Sequence, residues 1–329
     1  NESITMDPVG GTSPTATITF RSANQDSSLV TLTTSATSSS NNFAVYMNGA
    51  DYVTFHQITM QNTGSSYSTV VRQGSESNVN TFSNCRLVGR NTTSTSTNYA
   101  VFYSPNGIDD SLTIENCRLE YGSTGIYLVG TSAQFEERIN ILNNVLYRPY
   151  YRGLYMIYHD EPIITGTEIT TTSSYDSYYG MYFDDITGGV QVLNNRITGG
   201  EFCAMYMRDC PATMGDQNLI GNNILYAERN NSGDSRVLYL LGNNNYTQVY
   251  HNSVVTDNTD PTDGRPLYIT GGNNYDLQNN LFANTGGGYA AYVSNGSYVT
   301  NNDYNALFSS GCNFAYWQGP RNTLAQWQS

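Results

Sequence analysis

The side chains best suited to chemistry lie in three consecutive segments of the chain. His159, Asp160 and Glu161 follow one tyrosine phrase, Asp184 and Asp185 the next, and Arg208 and Asp209 a third. Paired carboxylates cleave glycosidic bonds when they stand roughly 5–9 Å apart and one is kept protonated by its surroundings. Asp184, Asp185, Arg208 and Asp209 are therefore the candidate catalytic set. Asp184, Asp185 and Asp209 are equally hard oxygen ligands for Ca²⁺. A plain Asp184–Arg208 ion pair between repeats would explain them with no chemistry at all. A second constellation, Asp257, Asp260 and Asp263 followed by Gly264, has a spacing that could wrap Ca²⁺, without the full EF-hand pattern. A solvated acidic loop is the plainer reading.

These residues hang on a repeat. An aliphatic residue, usually a tyrosine, and a second apolar residue recur eleven times. The aromatic slot is filled by Tyr46, Val71, Phe102, Tyr127, Tyr155, Tyr182, Tyr206, Tyr239, Tyr268, Tyr292 and Tyr316, at steps of 24 to 33 residues. Tyrosine fills nine of the eleven slots, against about one from its overall frequency, so the period is real and marks a solenoid. A second half confirms the register: Thr81–Leu87, Thr113–Leu119, Asn140–Leu146 and Gln191–Ile197 each carry an alternating strand, a polar pair and another apolar stretch. Later copies pass through Asn222-Asn223, His251-Asn252, Asn279-Asn280 and Asn301-Asn302. Each cycle thus holds three short strands, and no segment shows helical periodicity. Asparagines recurring in one frame, at roughly 4.8 Å per rung, can hydrogen-bond up the stack.

Three strands per cycle and an Asn turn between the second and third resemble the right-handed parallel β-helix of the pectate-lyase-like superfamily. The resemblance covers essentially the whole chain and implies an all-β, single-stranded solenoid of about eleven rungs, one domain over residues 1–329. It also implies that the first strand of each coil, edged by variable loops such as 171–178 and 256–264, floors a polysaccharide cleft, and that Arg208 would assist proton abstraction beside Ca²⁺. The chain departs from the family's enzymes. The Asn-Thr-Asp, Gly-His-Gly and Arg-x-Lys elements of polygalacturonases are missing, and there is no lysine for the lyases that use one. The opening, through Thr17–Phe20 and Leu29–Leu32, reads as an incomplete first coil. The end, Thr323–Trp327, is similar to surface proteins exported by the bacterial type IX route, so the expectation is a secreted or cell-surface piece of a longer polypeptide with further domains of its own.

The tyrosine column is expected to face outward. Its neighbours, Val45 and Met47, Ile126 and Leu128, Leu154 and Met156, through to Leu267 and Ile269, are core residues, whereas the slot two beyond is mostly polar. Small residues two before each tyrosine, such as Gly125, Gly153 and Gly180, would leave the rings uncovered on one side. Arg72, in a slot read as inward, is the exception. Ten steps make a stripe roughly 48 Å long, and Tyr127, Tyr155, Tyr182, Tyr206, Tyr239 and Tyr268 are the candidate ligand-binding residues, suited to stacking on sugars.

A net charge of −13, from 14 arginines against 27 acids, argues against nucleic acid, which needs basic surface. Anionic polysaccharides would be repelled unless Ca²⁺ intervened, so a neutral polysaccharide is the expected partner. No apolar run is long enough for membrane insertion. Five cysteines do not make a disulfide scaffold, but Cys85 and Cys117 share a turn slot in neighbouring rungs, where a bond and two stacked thiols are both open. Three readings remain: a non-catalytic glycan-binding or adhesive module, a polysaccharide lyase or glycoside hydrolase, and a structural stalk or protein-interaction surface.

Overall fold

A computed structural model describes residues 2–74, 76–105, 107–228 and 233–327. The chain is all-β, and the one α-helix among the described residues is a single turn, Leu324–Trp327. Among the described residues no helix is long and apolar enough to cross a membrane. The chain divides into two units, residues 1–170 and 171–329.

Each unit is a parallel β-solenoid whose coils place one strand in each of three sheets. In unit 1 the first sheet runs from Ile4–Met6 through Val45–Asn48, Val71–Gly74, Phe102–Pro105 and Thr124–Val129 to Arg152–Asp160. Six coils result, because the second sheet (Ile18–Arg21 to Ile163–Thr165) and the third (Thr31–Thr34 to Glu168–Thr170) also hold six strands in this unit. The opening segment is therefore a complete coil rather than an incomplete one: Ile4 pairs with Val45, Ile18 with Val53 and Thr31 with Thr59. Unit 2 has five full coils, with first-sheet strands from Tyr179–Thr187 to Ala291–Val293, followed by Ala315–Trp317.

The core follows from strand alternation. Val45, Met47, Ile126, Leu128, Leu154 and Met156 in unit 1, and Met181, Phe183, Met205, Met207, Leu238 and Leu240 in unit 2, are all wholly buried. Each such side chain contributes roughly 1.5–3 kcal/mol by leaving water. In unit 1, Phe20, Phe55 and Phe82 also pile up the second sheet with centroids 5.1 and 5.4 Å apart.

The polar pair between the second and third strands has two separate jobs. Its first member turns the chain with positive φ, as in Asn84 (53°), Asn116 (52°) and Asn143 (54°), then Asn194 (58°), Asn222 (55°) and Asn279 (57°), a conformation asparagine tolerates better than most side chains. Its second member points inward and forms the ladder. In unit 2 the Oδ1 of Asn223, Asn252, Asn280 and Asn305 each accepts the backbone N–H of the ladder residue one coil earlier at 2.9 Å. Each Nδ2 donates to a carbonyl of the preceding coil, Val192, Ile220, Val249 and Leu277 respectively. The final rung is Asn305, after Tyr304 at the turn. Asn301 and Asn302, read as that pair, lie instead in the strand Val299–Asp303. In unit 1, Cys85 and Cys117 occupy the ladder as free thiols, with the Cys85 N–H 3.3 Å from Cys117 Sγ and the Cys117 N–H donating to Asn144 Oδ1.

Candidate functional site

The outward column of the first sheet in unit 1 is Tyr46, Arg72, Tyr103, Tyr127 and Tyr155. Pairing joins Tyr46 to Arg72, Arg72 to Tyr103, Tyr103 to Tyr127 and Tyr127 to Tyr155. Val71 and Phe102, assigned to this column from the sequence, are one residue out of frame and wholly buried. A one-residue slip exchanges the faces of a strand, and correcting it places Arg72 outside. The Tyr103–Tyr127 and Tyr127–Tyr155 ring centroids are 5.1 and 4.9 Å apart.

Unit 2 continues the pattern with Tyr182, Tyr206, Tyr239, Tyr268, Tyr292 and Tyr316, whose successive centroids lie 4.3 to 5.0 Å apart. The parity is outward, as expected, but the rings are not all open to solvent. Tyr206 is 5% exposed and Tyr239 9%, because Tyr179, Phe202 and Leu241 pack over the sheet's outer side. Successive rings also pack on one another, tilted, edge-on or stacked, so their faces are largely taken up within the column and hydroxyls and the remaining edges form the outer rim. Partial burial pushes the Tyr127 phenol up to about 12, and raises those of Tyr206 and Tyr239, which keeps these hydroxyls as donors.

The small residues before the tyrosines do not uncover the rings. A Cβ on Gly125 would stand 2.8 Å from the Gly153 carbonyl and 2.9 Å from Leu146 Cδ2, and one on Gly180 2.5 Å from the Ala204 carbonyl. Close coil-to-coil packing demands glycine there. The flanks of the rings are covered from one residue earlier still. In unit 1, Arg152 lies over Tyr155 at 3.9 Å and over Tyr151 at 4.2 Å. In unit 2, Arg236 lies 5.0 Å from both Tyr239 and Tyr268, and Arg265 lies 4.5 Å from Tyr268 and 4.7 Å from Tyr292. Sequence reasoning missed these arginines. The signal was present: Phe43, Arg152, Tyr179, Arg236, Arg265 and Tyr289 all stand three before a column tyrosine. Strict alternation assigns that position to the core, but two consecutive buried residues, Gly153 and Leu154 or Val237 and Leu238, break the alternation and leave the arginine before them on the outside.

The candidate acids are already engaged. Asp184 pairs with Arg208 in the next coil, receiving Nε at 2.8 Å on Oδ1 and Nη2 on Oδ2, while its side chain is 3% exposed. The phenol of Tyr182 approaches the same Oδ2 at 3.4 Å. Asp185, within the strand Tyr179–Thr187, and Asp209, just after the strand ending at Arg208, both have positive φ, 50° and 48°. Asp209 Oδ1 accepts the Asn243 N–H at 2.8 Å. Burial, then the Asp184 and Asp209 charges, raise the Asp185 carboxyl above its usual range. The arrangement is thus an inter-coil ion pair flanked by two aspartates with left-handed backbone.

Asp257, Asp260 and Asp263 do not converge on a common point as Ca²⁺ ligands. Asp260 Oδ1 accepts both the N–H and hydroxyl of Thr262 and the Asp263 N–H, at 2.8–2.9 Å. Asp263 binds Arg265 at 2.6 Å, and Asp257 bonds to Tyr226. Among the described residues no three His, Cys, Asp or Glu side chains are arranged to hold a metal. His159 is also removed from any surface chemistry, being wholly buried in unit 1 beside Glu136.

The sequence profile described as the right-handed β-helix region matches residues 99–324, and the chain belongs to that family. No curated protein matches it in sequence. Among solved structures it is similar to the Dettilon tailspike protein (13% identity, TM-score 0.55), covering 91% of this chain and 60% of that one. It is also similar to DFA-IIIase from Arthrobacter chlorophenolicus A6 (15% identity, TM-score 0.51), covering 84% of this chain and 63% of that one. The chain thus spans under two thirds of either neighbour's length, and likeness at this identity is one of fold.

Proposed function

We propose that this chain is a non-catalytic, glycan-binding β-helix module of a secreted or cell-surface protein. The tyrosine–arginine column of the first sheet is the observation that carries the reading. A row of phenol edges and hydroxyls at coil spacing suits a repeating, hydroxyl-rich chain, which offers apolar ring edges and hydrogen-bond acceptors at short intervals. The contact is with ring edges and the hydroxyl rim, since the faces are used within the stack. Of the candidate rings, Tyr127 and Tyr155 in unit 1 and Tyr182 and Tyr268 in unit 2 are half-buried and reachable, while Tyr206 and Tyr239 hold the row of unit 2 together. In unit 2 the column's arginines are matched by acids, Arg236 by Asp234 at 2.7 Å and Arg265 by Asp263, which favours a largely neutral glycan there. The engagement of Asp184 by Arg208 favours binding over cleavage.

The test is retention and chain cleavage on a polysaccharide panel, with and without Ca²⁺. Replacing Tyr127 and Tyr155 together with Ala should weaken retention about 10- to 30-fold at roughly 1 kcal/mol per ring. Asp185→Asn should leave retention unchanged. Release of shortened chains that disappears in Asp185→Asn would instead establish a polysaccharide-cleaving enzyme.

A further inference from the structure

Arg72 interrupts the aromatic column of unit 1, and its surroundings differ from those of three arginines on the first sheet in unit 2. Arg208, Arg236 and Arg265 each pair with an aspartate. Among the described residues no carboxylate pairs with Arg72. Its guanidinium rests over the Tyr46 ring at 4.9 Å. On its other side Tyr103 leans toward Tyr127. A cavity of about 180 Å³ opens here, lined by Ser39, Asn42, Thr69, Arg72, Thr97, Asn98 and Tyr103, with no acidic side chain in its wall.

That wall is held in place. Asn42 Nδ2 donates to Thr69 Oγ1 at 3.1 Å and to the Asn98 carbonyl at 3.0 Å, while its Oδ1 accepts the Thr69 N–H at 2.8 Å. Asn42 and Thr69 are themselves buried, so the floor is built before any ligand arrives. The volume is well under the roughly 300 Å³ at which pockets for drug-sized ligands begin, and so suits a single ring-sized group.

We infer that the Arg72 cavity is a subsite for one acidic sugar residue, its carboxylate or sulfate held by the Arg72 guanidinium and its ring edge set against Tyr103. This rests on the glycan-binding reading above and assigns the class of sugar at one position. A guanidinium presents a planar fork that matches the oxygens of a carboxylate or sulfate, and lying on Tyr46 it is pre-oriented for that contact. The net charge of −13 does not forbid it, because charges beyond about 8 Å are largely screened at physiological salt.

The experiment compares binding of the whole chain to polyuronates of several linkages, to their carboxyl-reduced counterparts, to a sulfated galactan and to poly-glutamate. The expected result is at least one acidic polymer bound about tenfold tighter than its neutral counterpart, the gain of one charge-assisted contact. Arg72→Gln should bring binding of the acidic polymer down to that variant's own binding of the neutral counterpart and remove its salt dependence. Arg72→Lys, which keeps the charge, should retain part of it and guards against a folding defect. Monomeric glucuronate should compete better than acetate at equal concentration. Equal binding of acidic and neutral polymers by the native chain would overturn the subsite and leave the glycan-binding reading standing. Loss of all retention on every polymer overturns both. Equal competition by acetate, or poly-glutamate bound as tightly as polyuronate, shows an anion site with no preference for sugar and also overturns it.

Discussion

Glu136 Oε2 stands 3.3 Å from His159 Nδ1, with neither side chain more than 1% exposed. Both belong to unit 1, in paired segments of adjacent coils. Burial, reinforced by Asp109, pushes the Glu136 carboxyl up to about 9, and burial pulls the His159 imidazole down to about 4. Both groups are therefore neutral in the folded protein at pH 7.

The signs of the two contributions to stability differ. For Glu136 the folded pKa lies above the ordinary value of 4.5, so its contribution is full below that value and declines as pH rises toward about 9. For His159 the folded pKa lies below 6.5, so its contribution is full above that value and is lost as pH falls toward about 4. Glu136→Gln should abolish the alkaline decline and raise Tm at pH 8.5 by at least about 3 °C relative to the native chain. Thermal unfolding from pH 4 to 9 checks it, and parallel curves for the two proteins would refute the assignment.

Asp184→Asn should lower stability by about 1–2 kcal/mol, since it leaves Arg208 without its partner but half able to rehydrate. Glycan retention should not change. Denaturant titration read beside a retention assay separates this structural role from a catalytic one.

Asn252→Ala removes a ladder rung that accepts from Asn223 and donates to the Ile220 and Tyr250 carbonyls. Because those partners are buried, the expected loss is about 2–4 kcal/mol. Hydrogen exchange should show it concentrated in unit 2, with the Asn223 amide among the first to lose protection.

Tyr239→Ala should cost about 2–4 kcal/mol even though the ring lies outside the coil, because Tyr206, Tyr268 and Arg236 pack on it. Tyr239→Phe should be near neutral. Equal stability of the alanine variant and the native chain would mean that the stack adds nothing to the fold.

The all-β solenoid, its three strands per coil and the asparagine ladder were legible in the chain because they repeat, although the ladder's inward direction was not. Each coil solves the same packing problem, so Leu154, Met205 and Leu238 recur in frame, and left-handed turns keep selecting asparagine at positions such as Asn194 and Asn222. The same regularity hid the exceptions. Around Val71 and Phe102 the apolar pattern fits two frames, and only hydrogen-bonded pairing with Tyr46 and Tyr127 placed Arg72 and Tyr103 on the outside. The covering arginines stand three residues before a tyrosine, where alternation assigns them to the core, and two consecutive buried residues such as Val237 and Leu238 break that alternation. The Asp184–Arg208 pair was one of several readings the sequence left open, and side-chain reach between coils selected it, whereas the engagement of Asp263 by Arg265 was not read from the sequence. Composition and periodicity thus determined the coil, because backbone hydrogen bonding and apolar burial act identically in every turn. Which rings are covered and which guanidinium stays unpaired were decided by the tertiary structure, because those depend on neighbours 31 to 33 residues away that no local pattern specifies.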